Sequence, residues 1–395
     1  IEPQAYIVPL ERIGLRILAP PDAPLHFNAR HDAREPDTRR VDGLTEYSWR
    51  LDGVPAVVLE DNLPAWFDPM AEVEVSSFAE WAEVVDWALP FYTINAEDRA
   101  SLARTLAEIA TADETEQRIL QCIRFVQDEI RYLGMEDGLG AYVPRPPSEV
   151  HRRRYGDCKD KSLLLAGLLQ QMDVAARPML VDPYGGRNLP GRLPSPYAFN
   201  HCIVAFDHDG RRHFVDPTQN LQGGDLDHMV APPYHHGLEI GPGVDRLTAI
   251  PDPVSGSTEI VYHFEVGGRD DPVPLTVRTT YGESAADARR NAYDSFSTEE
   301  IERNNLDYYS QVFPAIRSAG PFQSSIEQPA RPEASPATST SSQRLADQRC
   351  AATRETSRPG GVPSRFMFTF GESQNRRPSP STGPAWLMSK VLSSS

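Results

Sequence analysis

Hydrophobic and polar positions along the chain first alternate and then cycle with a longer period. From Ile1 to about Val75 the short alternating runs Ile13 to Leu18, Thr45 to Leu51 and Ala56 to Leu59 are separated by Pro, Asp and Gly, which predicts strands joined by turns. Ser77 to Leu89 then carries Trp81, Val84, Val85 and Trp87 behind a Ser77/Glu80 capping-box pair. A second helical run covers Ala96 to Ala110. A third covers Thr115 to Tyr132, with Ile119, Cys122, Ile123, Val126 and Ile130 at helical spacing, so Cys122 reads as a packed core thiol. A Gly- and Pro-rich loop from Gly134 to Pro147 leads to Tyr155-Gly156-Asp157-Cys158. After it, Lys159 to Met172 is apolar on almost every side and is interrupted only by Gly167. A helix of that kind lies in the middle of a domain, and its first turn is held rigidly.

Alternation returns at Ala176 to Val181, His201 to Phe206 and His213 to Asp216, with Asp207-His208-Asp209-Gly210 as a hairpin turn between the last two. A β-rich region from about Ser257 to Thr280 follows a loop rich in proline and histidine, and ends in a helical pattern from Ala285 to Tyr309. Near Gly320 the character changes. Residues 320–395 carry a net charge of +4 and the rest −21, periodicity is lost, and Ser, Pro, Thr and Arg dominate. This tail reads as disordered, and so abrupt a shift is what a frame error produces.

At 395 residues the chain has length for two to three domains. No apolar run is long enough to span a membrane. The net charge of −17 argues against a nucleic-acid partner, because phosphate binding needs a clustered basic surface. The one basic cluster, Arg152, Arg153 and Arg154, is either a solvated loop or a source of positive potential near Cys158. Four cysteines without a CxxC exclude a disulfide framework. The chain begins at Ile1 without an initiator methionine, as a fragment or a chain with its leader removed would, so compartment is not legible there. Lysine occurs only at Lys159, Lys161 and Lys390, and two of the three flank Cys158.

A nucleophilic cysteine attacks as the thiolate and needs its pKa lowered, and the partial positive charge at a helix start supplies that. Cys158 occupies such a start, with Asp157 as cap and Gly156 permitting a tight approach. Of the ten histidines, His201 is distinguished by opening an apolar strand. If Asp207 and Gly210 flank the turn, His201 faces Asp216 directly; if His208 and Arg211 flank it, Asp216 faces Ile203, two residues from His201 on the same side. Either register puts the carboxylate on the imidazole's face, where it fixes the tautomer and stabilises the imidazolium. The candidate catalytic set is Cys158, His201 and Asp216, although residue types alone leave a structural role open for each. Cys202 points away from His201 and reads as a core thiol. A metal site from His201, Cys202, His208 and His213 fails on that divergence and on the lack of paired ligand spacing. Neither a metal nor a cofactor is expected.

The segment Arg154-Tyr155-Gly156-Asp157-Cys158-Lys159-Asp160-Lys161-Ser162-Leu163-Leu164-Leu165 resembles the nucleophile motif of the bacterial transglutaminase-like superfamily. Asn200-His201-Cys202-Ile203-Val204 and Phe214-Val215-Asp216-Pro217-Thr218 are similar to its histidine and aspartate motifs, in the same order, and Arg124 to Tyr132 resembles the helix before the core. Residues 1–75 are similar to the end of a β-rich domain of unknown function that precedes such cores, Ser76 to Trp81 to the junction, and 257–314 to the region that follows. The resemblance implies an α+β fold: a papain-like core, its central helix headed by Cys158 and packed on an antiparallel sheet bearing His201 and Asp216, flanked by β-rich domains. The expected divisions are a truncated β-rich domain at 1–75, the core at 76–235, a β-rich region at 236–318 and a disordered tail at 319–395.

The resemblance also implies acyl transfer from a protein or peptide amide through a thioester, with His201 as base and then acid. The backbone N–H of Cys158 would hold part of the oxyanion, with Tyr132 a candidate second donor. Amine and water acceptors share one triad, and the reading leans to a transglutaminase or amidase over an endopeptidase. The alternatives are a cysteine protease of the same fold and a non-enzymatic binding module that retains it. Family habit implies a bacterial periplasmic or extracytoplasmic location.

Overall fold

The computed structural model describes residues 8–31, 33–58, 60–64, 66–134, 138–253, 255–268, 271–320 and 322–324, with backbone alone at 5–6, 138–139 and 342–352. It is a mixed α and β structure that divides into two compact units, Ile1–Ser255 with Ala286–Asn291, and Gly256–Ala285 with Ala292–Ser395.

In the first unit, strands β1 (Leu10–Ala19), β3 (Asp37–Val41) and β4 (Leu44–Val54) form a three-stranded sheet in the order β1-β4-β3, and β2 (His26–Arg30) pairs with β5 (Glu72–Ser76). Leu59, the end of one expected strand, lies outside the described residues, and that strand is the short segment Ala56–Val57. Helices α1 (Trp81–Ala88), α2 (Ala96–Ile109), α3 (Thr115–Arg124) and α4 (Pro147–Arg153) lead to α5 (Cys158–Gln170).

Two expected boundaries move. The N-cap of α1 is Glu80 rather than Ser77, because the Glu83 carboxylate reaches back to accept from the backbone N–H of Ala79 and of Glu80. The third helix ends at Arg124 and continues as a π-turn over Phe125–Glu129. Its loosened backbone turns the carbonyls of Gln127 and Ile130 toward the Lys161 ammonium, which donates to them at 3.2 and 2.5 Å.

A five-stranded antiparallel sheet in the order β8-β7-β6-β9-β10 lies against α5; its strands are β6 (Ala176–Val181), β7 (His201–His208), β8 (Arg211–Val215), β9 (His236–Glu239) and β10 (Thr248–Ala249). Every residue of α5 from Cys158 to Leu169 is buried. Leu163, Leu164, Leu165 and Leu168 pack into one core with Ile119, Ile123, Val126, Val204 and Phe206. Burying each such leucine stabilises the fold by roughly 2 kcal/mol relative to exposure. The Ser162 hydroxyl donates to the Cys202 carbonyl at 2.9 Å and ties the helix to β7.

The second unit holds β11 (Thr258–Phe264), β12 (Val273–Gly282), β13 (Arg317–Ser318) and β14 (Ser342–Ala352) in the order β11-β12-β14-β13, with α7 (Thr298–Ser310), which α6 (Glu283–Asp294) precedes in sequence. The helical pattern expected from Ala285 to Tyr309 is two helices, because Ser297 caps α7 by accepting from the Glu300 N–H. Of the tail expected to be disordered from 319, most lies outside the described residues. The backbone of Ser342–Ala352 runs instead as a strand, pairing with the edge of β12.

Gly156 fixes the approach to α5. A Cβ there would lie 2.7 Å from the Cβ of Asp160 and 3.2 Å from Val150 Cγ1. Gly156→Ala is therefore expected to destabilise the chain by about 1–3 kcal/mol, read as a lower urea midpoint at unchanged m-value. An unchanged midpoint would mean that the helix start yields without cost.

Candidate functional site

The head of α5 is made of charge. Asp157 caps the helix by accepting from the Asp160 N–H at 3.1 Å, while Asp160 accepts from the Asp157 N–H at 3.2 Å. Lys159 donates to Asp157 at 2.5 Å. Arg145 donates to Asp160 twice, from its backbone N–H and from its guanidinium, each at 2.6 Å. Asp157, Lys159, Asp160 and Lys161 are all buried, and their partners offset the cost of leaving water. This network orients Cys158, at the first helical position, toward a cavity of about 170 Å³ whose walls include Trp87, Tyr92, Tyr142, Phe199 and His201.

The hairpin brings up the other two residues. Its turn is Asp209-Gly210, both with positive φ, at 47° and 72°, as a two-residue connection matched to the strand twist requires. His208 pairs with Arg211 and Val204 with Val215, the second of the two expected registers. Asp216, one residue beyond β8, then meets His201 diagonally, and Nε2 of the imidazole lies 3.0 Å from Oδ2 of the carboxylate. Cys158 and His201 line the same cavity, where the imidazole pulls the thiol down and the thiol raises the imidazole. With Nε2 turned to Asp216, Nδ1 is the ring nitrogen left for the thiol. Cys158, His201 and Asp216 are thus brought together.

The carboxylate is held from several directions. Oδ2 also accepts from the Tyr234 hydroxyl at 2.5 Å, and Oδ1 accepts from the backbone N–H and hydroxyl of Thr218 at 2.8 and 2.7 Å. Burial would push Asp216 up, but the hydrogen bonds from His201, Tyr234 and Thr218 hold it below the usual carboxylate range. Burial would lower His201, yet Asp216 and Cys158 raise it to about 10. Burial leaves the Cys158 thiol above its ordinary value, with His201 pulling it part of the way down. A thiolate and an imidazolium are each costly here alone, and each stabilises the other as a pair.

Beneath these three residues, the Gln127 amide donates to the Asp216 carbonyl at 3.0 Å and to Gln222 at 2.8 Å. Lys161 is wholly buried; desolvation lowers it to about 8, against the raising influence of Asp216 and Asp128. Lys161 and Gln127 lie inside the segments 154–165 and 124–132 that carry the resemblance, and only their partners are not legible there. Tyr234 had no local signal, being eighteen residues beyond Asp216 in an irregular loop.

Other expected residues fall elsewhere. Tyr132 is about half exposed, pairs in a short parallel ladder with Gly156, and is not among the residues lining the Cys158 cavity. Arg153 pairs with Glu149, and Arg154 with Glu129, away from the thiol. Cys122 and Cys202 are buried, and burial raises each to about 12. Among the described residues, no group of three or more His, Cys, Asp or Glu side chains is placed to hold a metal ion, and no helix is long and apolar enough to cross a membrane.

No family model matches the chain, and no curated protein matches it. Among solved structures, a Parabacteroides distasonis protein provisionally described as a protease aligns with a TM-score of 0.50 at 11% identity, covering 89% of this chain and 68% of its own. A Cytophaga hutchinsonii protein provisionally described as a cysteine protease aligns over 64% of this chain and 84% of its own, at 12% identity and a TM-score of 0.28. The first likeness is one of fold.

The buried ammonium has a measurable consequence. Lys161 titrates in the fold near 8 but near its ordinary 10.5 when unfolded. The unfolded chain therefore binds more protons between those values, and stability rises with pH across that window. The unfolding free energy of the native chain minus that of Lys161→Met is expected to increase by on the order of 3 kcal/mol from pH 8 to 10.5, by urea unfolding. A difference that stays flat would show that the ammonium is not desolvated.

Proposed function

We propose that the chain is a thiol enzyme with a papain-like core of the transglutaminase-like kind, and that it breaks protein or peptide amides through a thioester on Cys158. The observation that carries this reading is the gathering of a thiol, an imidazole and a carboxylate at the head of a buried helix, with Cys158 and His201 on one cavity and His201 3.0 Å from Asp216. Unrelated folds use such a gathering for acyl transfer. In the first step His201 takes the thiol proton, Sγ bonds the substrate carbonyl carbon, and the backbone N–H of Cys158 donates to the developing oxyanion. The C–N bond then breaks as His201 gives the proton to the leaving amine. An acceptor adds to the thioester carbonyl, the C–S bond breaks, and the thiol is restored.

Asp216 keeps the ring aligned and the imidazolium stable throughout, and four hydrogen bonds keep Asp216 itself ionised. Water as acceptor makes the chain a protease or amidase, and an amine makes it a transglutaminase. The fold shared with a protein provisionally described as a protease supports water. The reading of the chain as a binding module has less support, because such a role gives no reason to bury a thiol, an imidazole and a carboxylate in mutual contact.

The test is iodoacetamide labelling followed against pH by mass spectrometry of the Cys158 and Cys122 peptides. Cys158 is expected to label quickly below pH 7 while Cys122, raised to about 12 by burial, does not. His201→Ala is expected to slow labelling of Cys158 by about tenfold or more. Equal slow rates at both cysteines would leave a fold without a thiol site.

A further inference from the structure

We propose that the depression beside the Cys158 cavity is the subsite for one bulky, uncharged apolar side chain of the amide substrate, next to the bond that Cys158 attacks; this rests on the function proposed above. The depression, of about 330 Å³, shares Trp87, Tyr142 and Pro196 with the cavity that holds Cys158 and His201. A chain laid across the thiol on that side passes over these three walls. Their continuity with the nucleophile's cavity therefore makes the occupant the substrate itself.

The lining sets the chemistry of the occupant. Phe78, Trp87, Tyr142 and Tyr197 stand in one row of edge-to-face contacts, with ring centroids 6.5, 5.4 and 5.9 Å apart along it. No residue lining the depression is charged, so an ionised side chain placed there would lose water without gaining a partner. The Ser76 hydroxyl donates to the Pro194 carbonyl and accepts from the Phe78 N–H, and Ser195 accepts from the Tyr197 N–H. With these groups committed, rings and aliphatic carbon make up most of what the walls offer, beside the Ser77 side chain.

Tyr197 is the sharpest sign. The residue is 85% exposed, yet its backbone is fixed in a short helical turn, Pro196–Ala198, whose loop Ser76 ties to β5. A rigid loop that holds a large ring in water does nothing for the fold, but it completes a wall that an apolar side chain can cover.

The experiment uses the full chain and four alkylating probes, the N-iodoacetyl amides of glycine, phenylalanine, glutamate and lysine. With each, Sγ of Cys158 displaces iodide, and the second-order rate at the Cys158 peptide is read by mass spectrometry at pH 7. The phenylalanine probe is expected to react about tenfold or more faster than the glycine probe, and the glutamate and lysine probes no faster than glycine. In Tyr197→Ala, a change at an exposed ring, the phenylalanine-to-glycine ratio is expected to fall toward one. A wild-type ratio near one beside fast labelling with glycine overturns the subsite alone, as does a preference for either charged probe. Labelling of Cys158 no faster than Cys122 with every probe removes the thiol reading and the subsite with it.

Discussion

Four charged side chains at the head of one helix cannot leave water unless each finds a partner, and most of the site follows from how they do. Asp157, Lys159, Asp160 and Lys161 are each at most 4% exposed. An unpaired ion at that depth costs several kcal/mol, comparable with the whole stability of a domain. Asp157 is matched by Lys159 and Asp160 by Arg145, which pins the loop before α4 against the helix. Lys161 has carbonyls, and the chain supplies them by widening the end of the preceding helix into a π-turn. Cys158 sits among these restraints with little freedom to turn away from the cavity.

The same low polarity governs Cys158, His201 and Asp216. Burial opposes every charge the proposed chemistry needs, so the thiolate, the imidazolium and the carboxylate are tolerable only together. Asp216 anchors the set because its charge is spread over four hydrogen bonds, three of them from residues outside the thiol–imidazole pair. Tyr234 has an unusual place in this arrangement. Its hydroxyl shares Oδ2 with His201, which restricts the carboxylate to one orientation and leaves the imidazole one place to stand.

How much of this was legible in the chain depends on the range of the interaction. Ala176–Val181, the all-round apolar α5 and the Asp209-Gly210 turn are set by local period and turn chemistry, and the strand and turn occur where those patterns put them. The hairpin register was open between two choices because both satisfy the alternation. The choice fell to the turn, since only Asp209 and Gly210 accept positive φ together. The start of α1 misled because Ser77 and Glu80 match a capping box that Glu80 and Glu83 match equally well in space. Tyr234, Arg145 and the row from Phe78 to Tyr197 were illegible for a different reason: each acts across a distance in sequence that no periodicity spans.

On the proposed chemistry, the choice of acceptor turns on what the cavity can do for an amine. A lysine amine is protonated near neutral pH and attacks only after losing that proton. A site that favours it would hold the cation beside a carboxylate and then strip it. Of the residues lining the Cys158 cavity, none carries a carboxylate, and the nearby Asp157 is closed off by Lys159 and the Asp160 N–H. The exposed Asn200 on the cavity wall is neutral. Water needs no such cradle. His201, freed of its proton when the amine departs, can take one from water in the same position from which it served the thiol. Among acceptors for the thioester, these walls favour the small neutral one, and a transglutaminase role would need a carboxylate brought by the amine substrate itself.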